Sequence, residues 1–308
     1  MATILITHGV PAAGFEALKE HRLLIPAPLK AFTESELLSL IPQVDAVVAG
    51  GKLPGHVIRA GKKLKIIANY GAGYDGVDVK SAAECGVPVT NIPDTVTQDT
   101  SELAIGLMLS VSRRIGEMNL RLRHEAPETL FGMGLHMGRS LHGQTLGVIG
   151  YGRIGQKTAQ LAQALGMRVI FHDPAMPGSH DLPILLQTTD IISLHCPLNE
   201  ATRHLINRQV FAQIKRGALL INTARGGVVD YAALTEALKD GTLAGAGLDV
   251  YPDEPHIPAG LLTLNNVVCT PHVGANTEQT RYDMAAACAQ QILDALNGKR
   301  PQNIVNEL

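Results

Sequence analysis

An apolar run, Leu146 to Ile149, ends in Gly150-Tyr151-Gly152-Arg153-Ile154-Gly155, and no other stretch constrains the chain as much. Apolar residues Ile154, Ala159, Leu161, Ala162 and Leu165 recur at helical spacing, Gly166 stops that helix, and a second apolar run, Val169 to Phe171, closes on Asp173. Strand, glycine turn, helix, strand and acid stand in the order of a dinucleotide-binding βαβ unit. Gly150 permits the tight turn, Gly152 lets the backbone approach a pyrophosphate, and Gly155 lets helix and strand pack closely. The helix then aims free N–H groups and the positive end of its dipole at the phosphates. Asp173, 18 residues after Gly155, is placed to accept both ribose hydroxyls of an adenosine. Pro174 and Ala175 follow it, with no arginine to receive a 2′-phosphate, so NADH is expected over NADPH.

The same pattern occurs once more. Gly71-Ala72-Gly73-Tyr74-Asp75-Gly76 follows the apolar run from Lys65 to Tyr70 and has Asp94 18 residues on. Charge separates the two copies. The earlier one sets Asp75 and Asp78 where a pyrophosphate would sit; the later one has no acid between Gly150 and Asp173 and carries Arg153 and Lys157. Such charges are worth about 1 kcal/mol each at a helix end. The cofactor therefore goes to the second copy, and the first is read as a smaller anion site, a nest of backbone N–H groups.

A length of 308 residues suggests two domains, and 45% hydrophobic residues suffice for ordinary cores. A net charge of -2 gives no reason to expect nucleic acid or an anionic membrane. Cys85, Cys196, Cys269 and Cys288 lie far apart with no CxxC, so a reducing cytoplasm is expected rather than a disulfide framework. The N-terminus reads as a first strand, and no apolar stretch approaches the length of a membrane span.

Residues 1–97 alternate short apolar runs (Ile4–Ile6, Leu23–Ile25, Ala46–Ala49, Lys65–Ala68, Val87–Ile92) with helical patterns, one behind a Thr33/Glu36 capping box. One long helical pattern covers Thr97 to His124, and Glu125 to His142 reads as an irregular arm making an oligomer contact. The alternation then resumes: strand Ile191–Cys196, a helix around Gln209–Lys215, strand Ala218–Ala224, a helix from N-cap Asp230 to Lys239, and strands Gly245–Val250 and Val267–Thr270. A last helix, Glu278 to Leu296 behind N-cap Thr277, is expected to fold back on the first domain. The expected fold is α/β, with two doubly wound parallel-sheet domains of Rossmann or flavodoxin-like type, 1–97 plus 279–308 and 98–278.

Three groups stand at strand ends where an open parallel sheet binds ligands. Arg225 follows Leu219–Ala224, Glu254 lies beyond Leu248–Val250 between two prolines, and His272 follows Val267–Pro271. Each alone also reads as an ordinary surface or turn residue. Together they put a cation, an acid and a proton donor on one rim. Reducing a carbonyl by hydride needs a proton for the oxygen, which His272 can give near neutral pH. Glu254 favours its charged form, and the planar fork of Arg225 matches a carboxylate.

With these residues the chain resembles the D-2-hydroxyacid dehydrogenases over nearly its whole length. The resemblance rests on Gly150–Gly155, Asn222–Asp230, Gly247–Val250 through Glu254-Pro255, and Thr270–Gly274. It implies NAD, a small 2-oxo or 2-hydroxy acid as substrate, no metal, and an active site in the cleft between the domains. It implies a homodimer through the 113–142 arm. Arg225, Glu254 and His272 would be catalytic. Thr100, Gly150, Gly152, Arg153, Ile154, Gly155, Asp173, Cys196, Pro197, Thr202, Thr223, Ala224, Asp249 and Gly274 would hold the cofactor, with Asp249 by the nicotinamide. Lys52, Leu53, Tyr70, Gly71, Ala72 and Gly73, with Arg225, would hold the substrate.

Two departures stand out. Many relatives carry a Trp in the arm, and this chain has none anywhere, which leaves Phe131, Met133 and Met137 as candidates for its place. The segment from Asp173 to Asp190 is short for the family, so the third strand of that domain is expected to be abbreviated or missing. Glu254 argues against the formate dehydrogenase branch, which pairs its His with Gln. The chain ends four residues after Ile304, without the extended tail of the corepressor relatives or the added domain frequent in phosphoglycerate dehydrogenases. Phosphite oxidation, which also uses Arg, Glu and His, and an NADH-gated interaction protein of the same family remain the alternatives. The loop Asn69–Asp75 leans toward the glyoxylate and hydroxypyruvate reductases.

Overall fold

Short β-branched runs flanked by turn residues build two separate parallel sheets, and each becomes the spine of its own unit. The computed structural model describes residues 1–307; the domain end read at 308 falls on Leu308, outside the described residues. The chain divides into Met1–Val96 with Ala275–Leu308, and Thr97–Gly274.

In the first unit, β1 (Thr3–Ile6), β2 (Arg22–Leu24), β3 (Ala46–Ala49), β4 (Ile66–Asn69) and β5 (Val89–Thr90) form one sheet in the order β2-β1-β3-β4-β5, all parallel. This is a doubly wound order. On one face Leu5, Val47, Ile67 and Val89 bury against α1 (Glu34–Leu40), α2 (Gly55–Ala60) and α3 (Val79–Glu84). The capping box that starts α1 forms, with Thr33 Oγ1 accepting from the Glu36 N–H. Helix Glu278–Leu296 packs on β4, and Gln291 fastens it to the end of β5 by accepting from Thr90 Oγ1 at 2.7 Å.

The second unit opens with α4 (Thr97–Ser112) and α5 (Ile115–His124), where the sequence reads as one continuous helix. The chain breaks at Arg114, in the left-handed region at φ 56. The Ser112 carbonyl, which a continuing helix would use, instead accepts from the Arg139 N–H at 2.8 Å. Arg114 then folds onto Glu117 through two hydrogen bonds of 2.7 Å. No residue of α5 is buried in this chain.

Six parallel strands follow: β6 (Thr145–Ile149), β7 (Arg168–His172), β8 (Ile191–Leu194), β9 (Ala218–Asn222), β10 (Leu243–Leu248) and β11 (Val267–Cys269), in the order β11-β10-β9-β8-β6-β7. The order reverses between β6 and β8, which is where such sheets bind ligands. Alternate residues feed two cores. Leu146, Val148, Ile191, Leu219 and Ile221 pack with α4 and α6 (Arg153–Ala164). Ile192, Leu194, Leu220 and Leu248 pack with α7 (Leu182–Thr188), α8 (Arg208–Phe211) and α9 (Tyr231–Lys239). The helix expected around Gln209–Lys215 is only the four residues of α8, because the Lys215 N–H donates to Leu186 O at 3.0 Å instead of continuing the turn.

Among the described residues no strand pairs with the outer side of β7, so the expected third strand is missing. The connection to α7 covers that side instead. The His180 N–H donates to Phe171 O at 2.9 Å, and the Asp173 N–H donates to Ser179 Oγ at 2.9 Å. Short α10 (Ala259–Leu262) precedes β11, and Glu278–Leu296, capped by Thr277, is α11.

Candidate active site

The turn after β6 is built as its glycines require. Gly150 has φ 89, and a Cβ there would lie 2.5 Å from the Cys196 nitrogen. A Cβ on Gly155 would lie 2.1 Å from Gly150 O, so α6 could not approach β6 with any side chain at that position. A Cβ on Gly152 would meet nothing within 4 Å, which leaves an open cradle above the first turn of α6. That turn has no side-chain cap and no acid, and it begins at Arg153 and Ile154. Its N–H groups and dipole therefore favour an anion. The earlier glycine copy differs. None of Gly71, Gly73 and Gly76 has a left-handed φ, and the helix after it starts only at Val79, capped by Asp78.

Asp173 closes the turn from the end of β7. Its Oδ2 accepts from the Tyr151 N–H at 2.8 Å and its Oδ1 from the Ala175 N–H at 3.1 Å. Beneath, the Tyr151 and Phe171 rings stack at 3.9 Å. At the end of β8, burial pushes the Cys196 thiol up to about 11, and its backbone packs against Gly150. The Thr202 hydroxyl donates to Pro197 O at 2.6 Å and so fastens the loop after β8. At the end of β9, the Thr223 hydroxyl is buried with no hydrogen-bond partner among the described residues. An open cradle, an uncapped helix end and an orphaned hydroxyl are what a dinucleotide would complete.

The ends of β9, β10 and β11 bring Arg225, Glu254 and His272 into one cluster. Asn222, the last residue of β9, accepts from the Ala224 N–H at 3.0 Å and donates to Arg225 O at 3.1 Å, which shapes the arginine turn. Arg225 Nη1 donates to Ala224 O at 2.8 Å. A Cβ on the next residue, Gly226, would lie 2.0 Å from the Tyr251 carbonyl carbon, so the Arg225 turn rests directly on the Glu254 loop. Glu254 accepts from the Tyr251 N–H at 3.0 Å, and its Oε2 lies 2.7 Å from His272 Nδ1. Burial raises the Glu254 pKa, but the His272 hydrogen bond, the Tyr251 N–H and the charges of His272 and Arg225 outweigh it and hold the carboxyl below its usual range. An ionised Glu254 can only accept, so Nδ1 carries the proton and Nε2 is left to face a substrate.

His272 itself has φ 54. Asp249 holds this unusual backbone: its carbonyl accepts from the His272 N–H at 2.8 Å. Its carboxylate accepts from Thr270 Oγ1 at 2.6 Å, the Val273 N–H at 2.8 Å and the Gly274 N–H at 2.9 Å. Asp249 is 1% exposed, so its oxygens serve the His272 loop first. Thr100 on α4 lies beside the same loop, about where a Cβ on Gly274 would reach it, at 3.5 Å from Oγ1.

Lys52, Leu53 and Tyr70–Gly73 belong to the other unit, after the carboxyl ends of adjacent β3 and β4. The nest there is smaller than the sequence suggests. The Gly71 N–H is taken by Asn69 O at 2.9 Å, and the Tyr70 N–H by Ala49 O at 2.8 Å. Asn69 Nδ2 also gathers the Gly71 and Gly73 carbonyls at 2.9 Å each. That leaves the Ala72 and Gly73 N–H groups to face a ligand. The Tyr70 hydroxyl donates to Arg281 O at 3.0 Å and Leu53 is buried, while Lys52 is exposed.

Asn222, Thr270 and Tyr251 shape the site without having been singled out from the sequence. The signal for the first was an amide at a strand end directly before the arginine turn.

Residues 105–274 match the family model for the D-isomer specific 2-hydroxyacid dehydrogenase NAD binding domain. The chain is 42% identical to a hydroxypyruvate reductase of Thermotoga maritima, over 85% of this chain and 88% of that protein. It is 37% identical to a glyoxylate reductase of Thermococcus litoralis, over 99% and 96%. Among solved structures, the NADPH-dependent glyoxylate/hydroxypyruvate reductase of Sinorhizobium meliloti, in complex with NADP and malonate, superposes with a TM-score of 0.88 at 31% identity, over 99% of this chain and 96% of that one. The chain belongs to the D-isomer specific 2-hydroxyacid dehydrogenases, a family of NAD-dependent oxidoreductases.

Proposed function

We propose that the protein reduces small 2-oxo acids such as glyoxylate or hydroxypyruvate, with NADH preferred and His272 as the acid/base. The observation that carries this is the 2.7 Å contact between His272 Nδ1 and Glu254, on the rim that also holds Arg225. Gly150–Gly155, Asp173 and Thr223 would hold a nicotinamide dinucleotide, whose chemistry when bound would be to supply a hydride. Arg225 binds the carboxylate and carbonyl oxygen through its fork, and so fixes which face of the carbonyl is reduced. Glu254 holds the His272 proton on Nδ1 and stabilises the imidazolium. His272 gives the Nε2 proton to the carbonyl oxygen as hydride arrives, and takes one back in the reverse direction.

Two relatives named for glyoxylate and hydroxypyruvate support the substrate class. A homodimer is part of the same reading. Ile115, Leu120, Leu122, Phe131, Met133, Leu135 and Met137 are each at least half exposed along α5 and the arm, an apolar surface of the kind that a second copy covers. The test is a kinetic panel of 2-oxo acids with NADH, run beside His272→Asn. Turnover of glyoxylate or hydroxypyruvate that falls roughly 10²- to 10⁴-fold in the variant supports the assignment. Full activity in His272→Asn, or no turnover of any 2-oxo acid by the wild type, overturns it.

A further inference from the structure

We propose that Tyr251 is a positioning residue for the reaction, clamping together the strand ends that carry Asp249, Glu254 and His272. The inference rests on the reading of His272 as acid/base and Glu254 as its partner. Tyr251 is 5% exposed, and its hydroxyl lies 3.1 Å from Leu248 O and 3.0 Å from Thr270 O. Leu248 precedes Asp249, and Thr270 comes two residues before His272. The one proton of the hydroxyl is therefore shared between the carboxyl ends of β10 and β11. The backbone of the same residue does the rest. Its N–H holds Glu254 Oε1 at 3.0 Å, and its carbonyl carbon is the surface on which Gly226, next to Arg225, packs without a side chain.

The clamp sits at the last rung of the ladder, where the Thr270 N–H donates to Leu248 O at 2.9 Å. β11 has three residues and lies at the edge of the sheet, and its register with β10 ends at Leu248 and Cys269. Past that point the chain carries His272 at φ 54, a conformation that persists only where the surroundings enforce it. Asp249 grips the loop from one side, and Tyr251 joins the two strand ends from which Asp249 and the loop depart. Removing the hydroxyl lets β11 drift relative to β10 and lengthens the His272–Glu254 contact. Arg225 and the cofactor turn after β6 keep their own supports.

A neighbouring tyrosine provides the control. Tyr231 is also buried, its ring is 6.2 Å from that of Tyr251, and its hydroxyl donates to Val250 O and meets the Asn222 side chain at the end of β9, with no partner on β11 among the described residues. Tyr231→Phe thus removes a buried hydroxyl without unlinking β10 from β11.

The experiment compares wild type, Tyr251→Phe, Tyr231→Phe, Glu254→Gln and the Tyr251→Phe/Glu254→Gln double variant, measuring kcat and KM for hydroxypyruvate, the NADH Kd and Tm. Tyr251→Phe is expected to lower kcat roughly fivefold, the scale of one hydrogen bond. KM and NADH Kd should stay within about twofold, and Tyr231→Phe should keep kcat despite a comparable loss of Tm. The double variant should be little worse than Glu254→Gln, because both substitutions disable the same pair. A Tyr251→Phe enzyme with wild-type kcat beside an impaired Glu254→Gln overturns the clamp and leaves the His272–Glu254 reading standing. Single effects that multiply in the double variant also overturn the clamp. A Glu254→Gln enzyme as fast as wild type overturns the reading on which it rests.

Discussion

Replacing Asp173 separates two things that its carboxylate does at once. One, on the proposed reading, would be to repel a second phosphate. A phosphate on the 2′ oxygen that Asp173 would otherwise bind comes within about 4 Å, and one unit of charge at that distance costs about 4 kcal/mol at an effective dielectric of about 20. Asp173 is only half-buried, so solvent removes much of this, yet about 1.4 kcal/mol already gives tenfold. Wild type should therefore show at least roughly tenfold higher kcat/KM with NADH than with NADPH. The other is structural, since Oδ2 accepts the Tyr151 N–H of the glycine turn at 2.8 Å. Asp173→Asn keeps an oxygen for that N–H and removes the charge; Asp173→Ala removes both. The ratio should narrow in both variants, while kcat/KM with NADH falls further in the alanine variant, by the roughly 1–3 kcal/mol of an abandoned donor. Initial rates with each coenzyme at saturating 2-oxo acid read this directly. Equal kcat/KM in wild type, or a ratio untouched by Asp173→Asn, would refute the argument. The NADPH-dependent relative from Sinorhizobium meliloti, at 31% identity, shows that the fold accommodates either answer.

Arg225→Ala should cut kcat/KM for 2-oxo acids roughly 10²-fold, the worth of a charge-assisted bidentate contact, with NADH Kd changed far less; near-normal turnover would move the carboxylate elsewhere, Lys52 first. Glu254→Gln takes the anionic acceptor from His272 Nδ1 and should lower kcat for 2-oxo acid reduction roughly tenfold, with NADH Kd changed far less; an unchanged kcat would mean that the 2.7 Å pair is not coupled in turnover. Gly152→Ala should leave Tm nearly unchanged, since its Cβ enters open space at an ordinary φ of -73, yet weaken NADH binding strongly by filling the cradle. Gly155→Ala should lower stability by about 1–3 kcal/mol, because its Cβ meets Gly150 O at 2.1 Å.

What the sequence made legible was whatever depends on neighbours along the chain. The Gly150–Gly155 turn, the Thr33 and Thr277 caps, and the arrival of Arg225, Glu254 and His272 at consecutive strand ends all follow from local pattern. Features set by contacts across the fold were not legible. The α4–α5 break depends on an Arg139 N–H that reaches Ser112 from 27 residues away. The shrunken nest depends on the Tyr70 N–H being spent on Ala49 O, on the neighbouring strand. The grip of the Asp249 oxygens on Thr270, Val273 and Gly274 depends on β10 and β11 lying side by side. In each case a polar group had two plausible partners, and only packing decided between them.

The loop that covers the outer side of β7 ties coenzyme choice to solubility. A bare edge strand is a template for another chain's strand, and here His180 occupies the Phe171 carbonyl that such a strand would seek. On the proposed reading the same few residues, Asp173 to His180, would also decide what can sit on the adenosine ribose. A redesign toward NADPH that rebuilds this loop wholesale would therefore reopen the sheet to intermolecular pairing, and poor expression would follow from aggregation rather than from a failed cofactor site. Substitutions confined to Asp173, Pro174 and Ala175, with Ser179 and His180 kept, leave the edge shut.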